Sequence, residues 1–200
     1  MKDAKTQIFV TKGYSPWFNG NWGNDYYEYM DIWEDSSHVV SVDESVPGQA
    51  TVTCDGNITD MSYMFNLTHL TSLDLSNFDS SNVTNMRSMF EDCRNLTSID
   101  LSNFNTSNVG NTYAMFSGCR SLTTLDLTSF DTSKVINMSY MFYNCPRLTT
   151  IKGVIDMKSC EYYGNMFTNC NKLRGVKIKN PPFNFEIISG LSKSQYTIIS

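Results

Sequence analysis

Met-Phe recurs at Met64-Phe65, Met89-Phe90, Met115-Phe116, Met141-Phe142 and Met166-Phe167, at spacings of 25, 26, 26 and 25 residues. No other feature of the sequence constrains the fold as tightly. A period in the twenties makes each repeat one supersecondary unit, and such units stack along an axis because none buries its apolar face alone. The chain is therefore expected to be a solenoid.

Each unit has two halves with different rhythms. In the third copy Val109, Thr112, Met115, Phe116 and Cys119 fall at i, i+3, i+6, i+7 and i+10, which predicts one stripe of a helix. Val135, Met138, Met141, Phe142 and Cys145 repeat it in the fourth. Ser107 and Ser133 stand two residues ahead of each stripe, where a hydroxyl caps the first helical turn. Leu122, Leu125 and Leu127 then change to alternation, which suits a short strand with Asp126 pointing outward. The expected class is α/β: a solenoid of about five coils, each a short strand plus a helix, over residues 54–180.

The segments MFEDCRNLTSIDLSNFNTSNV and MFSGCRSLTTLDLTSFDTSKV resemble the BspA-type leucine-rich repeats of bacterial surface proteins. The resemblance spans residues 57–178 and rests on the recurring MFxxC, LTxLDLS and FDTSxV. It implies a curved right-handed leucine-rich-repeat solenoid used for adhesion or protein binding.

Residues 1–53 do not repeat, and hold Trp17, Trp22 and Trp33 together with Tyr14, Phe18, Tyr26, Tyr27 and Tyr29. Gln7 to Val10, His38 to Val42 and Ala50 to Thr53 read as short strands. A solenoid's first coil exposes core that must be covered, so this region is expected to cap the array. Its aromatics are a second candidate ligand site. At the other end Pro181-Pro182 removes two backbone donors and closes the regular pattern. The apolar residues of 181–200 are expected to cover the last coil.

The formal charge is −5, and phosphate recognition needs a basic stripe, so nucleic acid is not an expected partner. No apolar run approaches the roughly eighteen residues of a membrane span. Ile8-Phe9-Val10 is too short for the core of a secretory signal, so no signal peptide is read. Cys93, Cys119, Cys145 and Cys170 occupy one position in successive repeats. Sulfurs in a line at a coil spacing of about 5 Å cannot converge tetrahedrally on a metal, so they are expected to be buried reduced thiols. Cys160 takes the slot of Val109 and Val135 and is expected in the core as well.

His38 and His69 stand in unrelated contexts, with no nucleophile, metal or phosphate motif beside them. No enzyme activity and no cofactor is expected. What remains is the outward side of the strand stack. Alternation places Asp74, Asp100, Asp126, Lys152 and Lys177 there in one strip, acidic at one end and basic at the other. The helix side changes from coil to coil and is expected to offer no equally continuous stripe. The sequence thus points to a non-enzymatic binding module for a protein or surface glycan, exposed on a cell surface, secreted, or carried on a virion. The alternative is a structural component of a larger assembly such as a virus particle.

Overall fold

The computed structural model describes residues 7–12, 39–43, 49–54, 58–66, 70–75 and 78–200. Among them run the strands β1 (Gln7–Lys12), β2 (Val39–Asp43), β3 (Gln49–Cys54), β4 (Ser72–Asp74), β5 (Ser98–Asp100), β6 (Thr124–Asp126), β7 (Thr150–Lys152), β8 (Val154–Asp156), β9 (Val176–Lys179) and β10 (Tyr196–Ile199). One short helix, α1 (Phe185–Ser189), precedes β10.

The strand half of the repeat forms as the alternation predicts. In β6, Leu125 is buried between exposed Thr124 and Asp126; β7 repeats this with Ile151 between Thr150 and Lys152. Successive coils meet in parallel, Leu73 against Ile99 and Leu125 against Ile151. The three strands ahead of the repeats extend this stack. β1 pairs antiparallel with β3 and with β4, giving the order β2-β3-β1-β4-β5.

The other half of each coil is not the expected helix. Residues 113–118 are a chain of turns, and so are their equivalents. The molecule is a β-solenoid of about five coils, with α1 its one helix among the described residues. Ser107 accordingly caps no helix; its N–H and hydroxyl both donate to Asn105 Oδ1.

Backbone dihedrals show what interrupts the helix. The residue before each Met-Phe pair is left-handed: Tyr63, Ser88, Ala114, Tyr140 and Asn165 all have φ between 52° and 60°. Asp92, Gly118, Asn144 and Asn169, two residues beyond the Phe, are left-handed too. Each such non-glycine residue costs roughly 1–2 kcal/mol. The geometry persists because it turns alternate amides outward to the next coil. In the third coil Thr112, Ala114, Phe116 and Gly118 donate to the carbonyls of Asn137, Ser139, Met141 and Tyr143, at 2.9, 2.9, 2.8 and 2.8 Å. The intervening Met115 and Ser117 bond back within their own coil, to Thr112 and Ala114. A helix would spend every one of these donors on itself.

The core is a set of columns parallel to the axis. Phe65, Phe90, Phe116, Phe142 and Phe167 stack at centroid distances of 5.6, 5.3, 5.9 and 5.2 Å. Phe78, Phe104 and Phe130 form a shorter second column at 5.8 and 6.3 Å. In the cysteine column each thiol donates to a phenylalanine carbonyl one coil back: Cys93 to Phe65, Cys119 to Phe90, Cys145 to Phe116 and Cys170 to Phe142. All four are buried thiols, whereas Cys160 is only half-buried.

Beyond the fifth coil the remaining chain continues the stack. Ile188 and Ser189 accept from the amides of Asn165 and Phe167, and β10 pairs in parallel with β9. Phe185 and Leu191 go into the core, while Ile187, Ile188 and Ile198 stay exposed.

Candidate functional site

The strand face presents its outward residues on three-residue strands whose central residue is held in the core. Ser98, Asp100, Thr124, Asp126, Thr150, Lys152 and Lys177 are all exposed there. Asp74 is in backbone register with Asp100, and Asp126 with Lys152. Lys152 Nζ lies 3.3 Å from Asp126 Oδ2, an exposed pair that adds little to folding stability.

Lys177 does not extend this column. It stands opposite Val154, because Gly153 separates β7 from β8 and β9 pairs with β8. Gly153 has φ 96°, and a Cβ there would fall 2.6 Å from the Leu127 carbonyl oxygen. The strip is continuous from Asp126 to Lys152 and offset beyond.

The aspartates also serve their own backbone. Asp100 Oδ1 accepts the Ser102 N–H at 2.9 Å, and Asp126 Oδ1 accepts the Thr128 N–H at 3.1 Å and the Thr128 hydroxyl at 2.7 Å. These are Asx turns, in which one carboxylate oxygen closes the bend after the strand. The Thr128 bonds first, then Lys152, hold the Asp126 carboxyl below the usual carboxylate range. Each aspartate thus has one oxygen fixing the turn, and at Asp126 the second oxygen meets Lys152.

A second continuous surface lies on the turn side, where the sequence predicted none. Arg87 sits between two tyrosine rings, 4.7 Å from the Tyr113 centroid and 5.7 Å from that of Tyr63, and its Nε donates to the Tyr63 hydroxyl at 2.8 Å. Tyr113 packs on Tyr140 at 5.7 Å, and Tyr140 meets Tyr143 edge-on at 5.4 Å. Asn165 Nδ2 donates to the Tyr140 hydroxyl at 3.1 Å. These side chains come from one or two positions before Met, and Tyr143 from just after Phe, whereas the equivalent Ser88 and Ala114 are buried. The signal was present in SYMF at 62–65 and 139–142 and in TYAMF at 112–116. A helical reading scatters those positions.

Trp17, Trp22 and Trp33, and both histidines, lie outside the described residues. Among the described residues no helix is long and apolar enough to cross a membrane, and no group of His, Cys, Asp or Glu is placed to hold a metal ion.

The family model described as "Mycoplasma protein of unknown function, DUF285" matches residues 59–180. The chain belongs to this family. The DUF285 match begins beside Asp60, whose bridge to Asn85 starts the single-residue ladder through Asn111 and Asn137 to Tyr162, and it ends after β9. The DUF285 unit in this chain is therefore the solenoid itself. No curated protein and no solved structure matches the chain.

Proposed function

We propose that this DUF285 chain is a non-enzymatic binding module of the BspA-type leucine-rich-repeat kind, engaging a protein or a surface glycan through its strand face. It would act at a cell surface, outside the cell, or on a virion. The observation carrying this reading is the Asp126–Lys152 pair, set 3.3 Å apart on strands whose central residues are fixed in the core. Preorganised side chains lose little entropy on meeting a ligand. The neighbouring hydroxyls of Thr124, Thr128 and Thr150 add donors and acceptors that suit either a polar protein surface or a sugar. The acid-to-base change along the strip supplies orientation, since charge acts on registration and association more than on raw affinity.

The test is binding to solubilised host-surface protein and, separately, to host-surface glycan, using the unmodified chain and the double variant Asp126→Lys with Lys152→Asp. Reversing the pair preserves net charge and inverts local polarity. Loss of binding with an unchanged melt supports the strand face; unchanged binding removes it.

A further inference from the structure

A third side of each coil lies at the corner where the turns give way to the strand. Its register is fixed from both flanks. Ahead of it the amides of Asp92, Gly118 and Asn144 donate to the carbonyls of Ser117, Tyr143 and Thr168. Behind it those of Thr149 and Arg174 donate to Thr123 and Thr149. Between these rungs the coils contribute Arg94-Asn95, Arg120-Ser121, Pro146-Arg147 and Asn171-Lys172, all exposed except half-buried Ser121. One cation therefore stands on each of four successive coils, and Arg174 follows on the last. Along the phenylalanine column the same coils are 5.3, 5.9 and 5.2 Å apart.

Like charges held one coil apart repel, and a neighbouring carboxylate is the usual relief. Only Arg94 has one, with its Nε 3.3 Å from Asp92 Oδ1. The positions equivalent to Asp92 are Gly118, Asn144 and Asn169, so the acid is not repeated. Among the described residues no ion pair holds Arg120, Arg147 or Lys172. The corner segments 92–96, 118–122, 144–148 and 169–174 carry five Lys or Arg against one acid, in a chain of formal charge −5. This ridge is positive where the chain as a whole is negative.

The form of the ridge selects its partner. Cations repeated at a nearly constant step suit anionic groups that also repeat along a line, which a polymer supplies and a folded protein surface does not. The ridge holds no aromatic ring on which the bases of a nucleic acid could stack. Its leucines, Leu96, Leu122, Leu148 and Leu173, are buried, so it has no apolar side chains to enter a bilayer. Guanidinium groups match sulfate and carboxylate oxygens with paired donors.

We infer that the ridge Arg94, Arg120, Arg147 and Lys172 binds a linear anionic polysaccharide, bearing sulfate or carboxylate groups, laid along the solenoid axis. This does not depend on ligand binding at the strand face, and the variants below leave Asp126 and Lys152 in place.

The experiment is calorimetric titration of the full 200-residue chain with a heparin tetrasaccharide and a heparin dodecasaccharide, in low and high salt. The dodecasaccharide should bind about tenfold more tightly than the tetrasaccharide, because only the longer chain reaches several coils. Its affinity should fall about tenfold or more between about 50 and 200 mM salt, as neutralised anions release their counterions. Arg120→Ser with Arg147→Ser should weaken binding about tenfold or more and leave the melt unchanged, since exposed charges contribute little to folding. Lys134→Ser with Lys158→Ser removes the same charge from two exposed positions outside the ridge and should change binding by less than about twofold. Arg147→Ser alone is the second variant if the double one misfolds, and the length and salt series need neither. Equal losses in the two double variants would reduce the effect to net charge and overturn the inference. So would a tetrasaccharide as tight as the dodecasaccharide, oligothymidylate or polyglutamate bound as tightly as heparin, or no binding in low salt.

Discussion

The Cys119 thiol donates a 3.2 Å hydrogen bond to the carbonyl of Phe90 one coil back. Three further pairs repeat the contact along the array. The cysteine column is thus more than small apolar filler, since each sulfur satisfies a carbonyl at the centre of the core. The Phe N–H is directed to that same following coil, as in Phe90 to Met115 at 2.9 Å and Phe116 to Met141 at 2.8 Å. Both polar groups of the phenylalanine backbone therefore bond to the coil that follows.

Cys119 should be inert in the folded chain. Burial, reinforced by the nearby Cys93, pushes Cys119 well above its ordinary value of 9.0, and burial pushes the half-buried Cys160 up to about 11. Thiol titration at pH 8 should find Cys119 unreactive until denaturant is added, because the thiolate is the reactive form. The sign for stability follows from the raised values. The folded chain holds these protons more tightly than the unfolded one, so their contribution is complete below about pH 9 and, for Cys160, is lost as pH rises toward about 11. Melting temperature should fall with pH across that window, and replacing Cys160 by Ala should flatten part of the fall.

Phe116→Ala should cost about 3–5 kcal/mol, the range for a buried aromatic. The ring is fully buried between Phe90 and Phe142, 5.3 and 5.9 Å away. Deleting residues 111–136 should be milder, because Asn111 and Asn137 are bridged equivalents and array stability is nearly a sum over coils. Chemical denaturation of both variants compares them directly; a deletion more damaging than the alanine would contradict the register.

Gly153→Ala should be among the most damaging single changes, by roughly 3 kcal/mol or more, because backbone strain and overpacking act together. The added Cβ would meet backbone atoms of Leu127 and Thr128 at 2.6 to 3.0 Å, and φ is 96°. Asn144→Gly is the converse case. It removes a Cβ at φ 56° and should leave the melt unchanged or slightly raised. Thermal melts of the two variants should move in opposite directions, or the second should stay still.

Asp126 should titrate below an ordinary aspartate, since hydrogen bonds from Thr128 come first among the causes and Lys152 after them. Thr128→Ala should return it toward 3.8, leaving the backbone bond and the lysine in place. A depressed carboxylate contributes above its unfolded value and loses that contribution as pH falls through its folded one. Carbon-detected NMR titration of the two chains reads the shift. An identical value in both would mean the hydroxyl at 2.7 Å is not what holds it.

By itself the sequence determined the period, the stacking of coils, the columns of phenylalanine and cysteine, and the short strands with one buried residue between two exposed ones. Those follow from burial, and burial is written in residue type at fixed spacing. Only the tertiary structure decided what the other half of the coil is. Apolar residues at i, i+3, i+6, i+7 and i+10 satisfy a helix stripe and a chain of turns alike. The deciding residue before Met is Tyr63, Ser88, Ala114, Tyr140 or Asn165, and four of those five residues are of types that rarely announce a left-handed backbone. What pays for that geometry is a set of hydrogen bonds to the next coil, some 25 residues away, as from Ala114 to Ser139. The tyrosine and Arg87 surface was hidden because its side chains meet only once successive coils are stacked. The offset of Lys177 was hidden too, because register past Gly153 depends on which strand β9 finds as its partner.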